Sequence, residues 1–220
     1  MDAIECIKKR RSIRGFKPDP VPGEILREII ETAIWSPSYK NSQPWEVMVL
    51  SGEKKDALSK MLVGEFEKGT ALCPDIPEPE SWPEAEGGRI ADLYRKRADV
   101  SGIDLNDPEV LKKAKIVNFN FYRAPHAIYL YQDGSLTPWS LFDLGIFAQS
   151  LMLAAHAKGL GTVPQAFATD YAQNIKKFLD LPAAKRLVLG ISIGYPDLDS
   201  PANAFRTDRV EMDEIAKWAE

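Results

Sequence analysis

The sequence predicts a one-sheet α/β or α+β protein, and three observations carry that expectation. Apolar stretches with a helical repeat alternate with only four or five short β-type runs. Prolines and glycines punctuate the boundaries between them. Hydrophobic residues make up 45% and charged residues 27% of the 220 positions, the balance of a chain that buries a substantial core.

In chain order, Asp2–Arg11 reads as a short helix with Ile4 and Ile7 on one stripe, followed by a basic turn through Arg14. Pro18, Pro20 and Pro22 break the chain before an amphipathic helix over Glu24–Trp35, whose Ile25, Ile29, Ile30 and Ala33 share a face. Ser36–Pro44 is a polar loop, Trp45–Leu50 a buried strand and Glu53–Phe66 a helix. Residues 69–90, rich in Pro, Glu and Gly, read as an irregular insertion, with helices after it over Ile90–Arg97 and Pro108–Asn118. Ala127–Tyr131 is an apolar β-type run. Between Pro138 and Lys158 lies the longest helix, apolar around most of its circumference and so expected to be central and buried on nearly every side. A strand over Leu160–Gln165, a helix over Asp170–Leu179 and a strand over Leu187–Tyr195 follow. Beyond Asp197 the chain is polar and irregular before a short helix or strand ending at Trp218. No internal repeat is evident. The expected organisation is one domain over residues 1–220, with 69–107 as a lid, since that stretch is too short to hold a core of its own.

Charge and cysteine usage narrow the function classes. With 28 basic and 32 acidic residues the formal net charge is −4, which argues against general nucleic-acid binding while leaving room for a local cationic pocket. Cys6 and Cys73 form no zinc spacing, and free thiols in a reducing cytoplasm are expected. The charged N-terminus lacks the apolar core of a signal peptide, and the greasiest segment, Gly145–Ala157, is interrupted by Gln149 and His156; no membrane association is expected.

Four constellations offer chemistry. Arg10-Arg11-Ser12-Ile13-Arg14 puts three guanidinium groups and a hydroxyl within five residues, which suits a dianionic phosphate; a solvated basic helix end explains the same residues. Ser36-Pro37-Ser38-Tyr39-Lys40-Asn41-Ser42-Gln43-Pro44-Trp45 carries hydroxyls and amides able to satisfy a flat heterocycle, or to make an ordinary turn. Gly159-Leu160-Gly161-Thr162-Val163-Pro164-Gln165-Ala166 follows the longest helix; Gly159 is a normal C-cap, and Gln165 and Ala166 can present main-chain amides. The tail Asn203-Ala204-Phe205-Arg206-Thr207-Asp208-Arg209 is a second cationic cluster, or exposed tail charge. There is no GxGxxG, Walker A or GxSxG motif, and His126 and His156 lack the company of a metal site or a nucleophile. No metal site is expected.

Taken in order, these stretches resemble the FMN-dependent nitroreductase family: Arg10–Phe16, Ser36–Trp45, Asn118–Pro125, Gly159–Ala166, Gly190–Asp197 and Asn203–Arg209, with the likeness running from about residue 2 to 218. The insertion, with Pro79–Glu84 and Leu93-Tyr94, resembles the nitrobenzoate-reductase-like branch with its long lid. The resemblance implies a three-layer α+β fold with a central, mostly antiparallel sheet flanked by helices, in an intertwined homodimer. It implies bound FMN, NADH or NADPH as donor, and a ping-pong two-electron reduction of a small aromatic acceptor such as a nitroaromatic or quinone. Arg10, Ser12 and Arg209 would hold the FMN phosphate, with Arg206 helping and Arg11 alongside. Arg14 would lie by the flavin pyrimidine, as electrostatic support rather than a catalytic acid or base. Pro37, Ser38, Tyr39 and Asn41 would reach the flavin of the other subunit, with Gln43 supporting their loop. Asn118 would bond the ring, and Pro164, Gln165 and Ala166 would face its N5 side. Tyr39 stands where a small hydroxyl residue is common, and Thr207 where some members carry a lysine. Reductive dehalogenation, enoate-type reduction and flavin binding without turnover are the alternatives on the same scaffold.

Overall fold

The computed structural model describes residues 2–102, 104 and 107–219. Its strands are β1 (Glu46–Ser51), β2 (His126–Asp133), β3 (Gly161–Gln165) and β4 (Lys185–Gly194). They form one sheet in the order β1-β2-β4-β3, antiparallel at every pairing. The expectation of a mostly antiparallel sheet flanked by helices holds.

Both faces of that sheet are covered, and β2 shows how. Ile128 and Leu130 point into one core, where α2 (Gly23–Ala33) contributes Leu26, Ile29 and Ala33 and α6 (Pro138–Ala157) contributes Leu144, Phe147 and Leu151. Ala127 and Tyr129 point into the other, with Leu58 and Leu62 of α3 (Gly52–Glu67), Phe119 of α5 (Pro108–Phe119) and Ile175 of α7 (Ala172–Phe178). A strand buried on both sides has no reason to alternate polar and apolar residues, hence the nearly continuous hydrophobic runs of β2 and β4. Tyr129 keeps its hydroxyl satisfied by donating to Ala168 O at 2.8 Å. Alternate residues on opposite faces make three layers.

The periphery consists of α1 (Ala3–Lys9), α4 (Glu84–Ser101) and α8 (Met212–Ile215). Asp2 caps α1 by accepting from Glu5 N at 3.0 Å. The irregular part of the insertion is shorter than expected, because α4 already begins at Glu84. Gly87 and Gly88 obscure the helical pattern there, whereas Pro83 and the first-turn acids Glu84 and Glu86 start the helix and Gly102 ends it at φ 63°. Ile103, Leu105 and Asn106, part of the expected lid, lie outside the described residues. The base of the insertion is fixed by Asp75. Its carboxylate accepts from Lys176 Nζ at 2.9 and 3.0 Å and from Leu187 N at 2.7 Å, so α7 and β4 both hold it. Cys73 N donates to Asp170 O at 2.8 Å nearby.

Two further expectations change. The stretch ending at Trp218 holds one helical turn, α8, rather than a strand. More consequential, α6 is not buried all round: Trp139 and Phe142 are 64% and 65% exposed. Its length and composition would also suit a membrane span, yet its inner face, with Asp143 among buried apolar side chains, packs on the sheet. Cys6 and Cys73 are both free thiols, as the sequence suggested.

Candidate functional site

Three separated stretches converge beside β3. The basic turn runs along the start of that strand: Ile13 N donates to Thr162 O at 3.0 Å, and Ser12 pairs with Thr162 in a parallel bridge. The approach is so close that a Cβ on Gly161 would lie 2.8 Å from Ile13, which is why glycine is needed there. The tail then folds back over the turn through Asn203, only 2% exposed. Its Oδ1 accepts from Arg14 N at 2.7 Å and Gly15 N at 3.2 Å, and its Nδ2 donates to Gly15 O at 2.8 Å and Asp197 O at 2.7 Å. Arg206 adds a bond from its guanidinium to Lys8 O at 2.6 Å.

The result is a small cavity of about 70 Å³ lined by Arg10, Arg11, Ser12, Arg14, Phe205, Arg206, Thr207 and Arg209. Five arginines and, among the described residues, no carboxylate face it. The tail's own acid, Asp208, instead meets Lys96 of α4 at 2.7 Å. Nη1 of Arg10 and Nε of Arg14 are buried without a hydrogen-bond partner. Burial, and then repulsion from Arg209, lower the proton affinity of the Arg10 guanidinium. Buried, mutually repelling donors are costly unless an anion joins them, and a phosphate dianion is the geometric and electrostatic complement. The flavin mononucleotide phosphate fits this donor set.

Beyond the cradle lies a second polar group built on Asn118, Gln165 and Tyr122. Gln165 Nε2 donates to Asn118 O at 2.9 Å and Asn118 Oδ1 at 2.8 Å, and Gln165 Oε1 accepts from Ser192 Oγ. Asn118 Nδ2 donates to Tyr122 Oη at 3.0 Å. The Gln165 side chain is thus committed inward, and Ala166 O accepts from Thr169 N at 2.8 Å. Tyr122 stands in a run of left-handed residues, Phe121, Tyr122 and Arg123 at φ 51°, 52° and 60°. Non-glycine residues seldom adopt this conformation, and strain of this kind gathers at functional sites. The turn sets the Tyr122 ring 5.9 Å from the Arg14 guanidinium, which ties the two polar groups together.

The loop with Pro37, Ser38, Tyr39, Asn41 and Gln43 does not line the cradle. It too is left-handed, at Lys40, Asn41 and Gln43. Ser38 Oγ closes it by accepting from Gln43 N at 2.9 Å, and Asp143 on α6 holds it by accepting from Tyr39 N at 3.1 Å. The Tyr39 ring stacks on Trp139, 6.0 Å between centroids, so the loop lies against the exposed stripe of α6. Pro164 is exposed at the sheet edge, beside Gln165.

Sequence reasoning missed the roles of Asn203 and Tyr122. Nothing in the order of residues signals that an asparagine will be stapled across 188 positions, whereas Tyr122, inside a quoted stretch, could have been proposed. His126 is structural: its Nε2 accepts from Val21 N at 2.9 Å, which leaves Nδ1–H to donate to Ser51 Oγ at 2.5 Å.

Residues 7–195 match the nitroreductase family. The chain is 34% identical to a 4-nitrobenzoate reductase of Pseudomonas putida, an alignment covering 94% of this chain and 90% of that protein. Among solved structures it is similar to the FMN-dependent nitroreductase NfnB of Mycobacterium smegmatis in complex with NADPH, at 33% identity, TM-score 0.95 and coverage of 99% and 98%. It is likewise similar to the FMN and NADPH-dependent nitroreductase NfnB from Sphigopyxis sp. strain HMH, at 27% identity, TM-score 0.96 and full coverage of both chains.

Proposed function

This chain belongs to the nitroreductase family, and on that premise we propose that it is an FMN-dependent oxidoreductase taking electrons from NADPH or NADH and delivering them to small nitroaromatic or quinone-like acceptors. The observation that carries the reading is the cradle, with guanidinium donors of Arg10 and Arg14 buried and unpaired where, among the described residues, no carboxylate lines the cavity. When bound, FMN supplies the two-electron redox chemistry, so no catalytic triad is required of the protein.

The chain's own contribution is placement and charge. Arg10, Ser12 and Arg209 would hold the phosphate, with Arg11 and Arg206 completing the rim. Arg14, fixed by Asn203 through its backbone, carries positive charge from the cradle toward Tyr122 and would stabilise negative charge gathering on the pyrimidine edge of the ring. Asn118 would meet the ring from the side, and the Pro164–Ala166 main chain would face N5. The segment 69–107 would serve as the lid, shedding water from a site that donor and acceptor use in turn.

A homodimer accords with the surface. Trp35, Trp139, Phe142, Ile215 and Trp218 are 88%, 64%, 65%, 75% and 79% exposed, an amount of bare apolar area that a lone subunit rarely carries. The loop over 36–45 borders that stripe, as expected if Pro37, Ser38, Tyr39 and Asn41, with Gln43 in support, reach the flavin of a second copy. Free thiols at Cys6 and Cys73 accord with a cytoplasmic location.

The visible spectrum of the purified protein tests the reading. A yellow dimer whose flavin absorbance bleaches anaerobically on adding NADPH or NADH, and returns on adding a nitroaromatic, is the expected result. A monomer that binds no FMN supplied in excess refutes it, and a bound flavin that never bleaches leaves a binding protein without turnover.

A further inference from the structure

We propose that the Tyr122 hydroxyl donates a hydrogen bond to the pyrimidine edge of the bound flavin, its proton turned outward by a one-way chain of hydrogen bonds that starts at Ser192. This rests on reading the chain as a flavin-dependent reductase and assigns a further residue to that same site.

A single main-chain carbonyl fixes the direction of the chain. Asn118 O can only accept, so the Gln165 terminal atom 2.9 Å from it is the amide nitrogen. That nitrogen also donates to Asn118 Oδ1 at 2.8 Å, and the other terminal atom, Gln165 Oε1, accepts from Ser192 Oγ. With Oδ1 turned to Gln165, the remaining terminal atom of Asn118 is Nδ2, which donates to Tyr122 Oη at 3.0 Å. Every donor therefore points the same way, from Ser192 through Gln165 and Asn118 to Tyr122. Ser192, Gln165 and Asn118 are 0%, 2% and 8% exposed and Tyr122 is half-buried, so the chain begins in the core and ends at the site.

A phenol that accepts on its oxygen keeps its own proton for another partner, and among the described residues none takes it. Polarised along the chain, that O–H is a stronger donor than the hydroxyl of an isolated tyrosine. The backbone is strained to put it there. Phe121 is buried and meets Tyr129 edge-on at 6.2 Å, which anchors the left-handed run from Phe121 through Arg123.

The position of the phenol names its ligand. Its ring lies 5.9 Å from the Arg14 guanidinium, which lines the phosphate cradle, and its oxygen meets Asn118. The hydroxyl thus stands between the groups that would hold the phosphate and those that would meet the ring. The pyrimidine edge of a flavin carries carbonyl oxygens and ring nitrogens, acceptors that become more negative when the ring takes up electrons. A hydroxyl donor holds the more negative form more tightly, since a charge-assisted bond is about twice as strong as a neutral one. Tyr122 therefore favours reduced over oxidised flavin, next to the charge of Arg14.

The two-electron midpoint potential of the FMN-loaded protein, measured by reductive titration against a reference dye, reads this without turnover. Tyr122→Phe is expected to lower the preference for reduced over oxidised flavin about tenfold, a fall of about 30 mV. Site-specific incorporation of 3-fluorotyrosine at position 122, at a pH where its phenol keeps its proton, should raise the potential, because a more acidic phenol donates more strongly. A mere loss of packing does not give opposite signs. Circular dichroism and flavin content verify each fold, and the fluorinated protein alone decides should Tyr122→Phe misfold. A potential that neither replacement moves overturns the proposal, as does a shift of the same sign in both. So does an unchanged potential with slower reoxidation by a nitroaromatic, which would place the proton at the acceptor instead. A colourless chain that binds no FMN refutes the reductase reading itself, whereas a yellow, reducible protein whose potential ignores Tyr122 refutes only this assignment.

Discussion

Replacing Asn203 by alanine is expected to damage both stability and flavin binding, although Asn203 need not touch the flavin. The side chain is 2% exposed and uses its full hydrogen-bonding capacity in the plane of one amide, two bonds accepted and two donated. Alanine removes all four and strands the N–H groups of Arg14 and Gly15 in a region where Gly15 already lies too close to Ser200 for a Cβ, 2.4 Å from its Oγ. Each hydrogen bond is worth about 0.5–1.5 kcal/mol net and each buried orphan costs about 1–3 kcal/mol. With water satisfying part of the loss, the expected destabilisation is about 2–4 kcal/mol. Urea denaturation of the flavin-free protein measures it, and titration with FMN measures the loosening of Arg14 and Arg209 as a weaker dissociation constant. Asn203→Asp separates the causes: an acceptor-only carboxylate serves the two N–H groups but confronts the carbonyls of Gly15 and Asp197, so it should rescue stability only in part. A variant Asn203→Ala within about 0.5 kcal/mol of the parent, with unchanged FMN affinity, would refute the view that this amide holds turn and tail together.

Three other outcomes follow from the same kind of reasoning. Arg10→Met should weaken FMN binding by about tenfold to a hundredfold while leaving the flavin-free protein as stable or more so, because it removes a buried cation that Arg209 repels; a destabilised apoprotein with normal flavin affinity would count against it. Asp75→Asn breaks the ion pair with Lys176, whose side chains are 20% and 9% exposed, and leaves that ammonium buried without its counter-charge. A loss of about 3–5 kcal/mol is expected, with faster proteolysis within residues 69–83; an unchanged cleavage rate would argue against Asp75 as the anchor. Burial pushes the Asp170 carboxyl up to about 6, whereas the unfolded chain titrates near ~4. The folded protein therefore holds a proton that the unfolded chain releases between these values, so this group makes stability fall as pH rises from about 4 to 6. Asp170→Asn should flatten that slope, and an unaltered pH profile of the urea midpoint would dismiss the assignment.

The fold was legible where periodicity and burial agree. The regions of α2, α3, α6, β1 and β2 follow from apolar spacing, because each buries a mostly apolar face. The start of α4 was hidden by Gly87 and Gly88, whose helix-breaking tendency is overridden by Pro83 and the acids beside it. The exposed stripe of α6 was equally hidden: Trp139 and Phe142 read as core from composition, since a sequence does not distinguish a side chain covered by its own fold from one left exposed. At the site, the arginines of the basic turn and tail were visible as charge runs, and either run alone also reads as solvated surface. What decides between these readings is Asn203, a contact across 188 positions in which local pattern plays no part.

The costs accumulated around the site share a logic. Left-handed backbone occurs at Lys40, Asn41 and Gln43 in the loop against α6, and again at Phe121, Tyr122 and Arg123 next to Arg14. Each such residue costs of order 1 kcal/mol or more, and the unpaired guanidinium atoms of Arg10 and Arg14 add desolvation to that. Of these residues only Phe121 belongs to a core of the sheet; the others lie outside both clusters. The unpaired guanidinium nitrogens of Arg10 and Arg14 border one cavity, so an anion arriving there would pair them and raise the stability of the native state. Ligand binding to the native state alone raises stability by mass action, about 2.7 kcal/mol at a hundredfold excess over the dissociation constant. The gap in thermal stability between flavin-free and flavin-loaded protein is therefore expected to be large, and to shrink in Arg10→Met, because the energy withheld from the empty cradle is what binding releases.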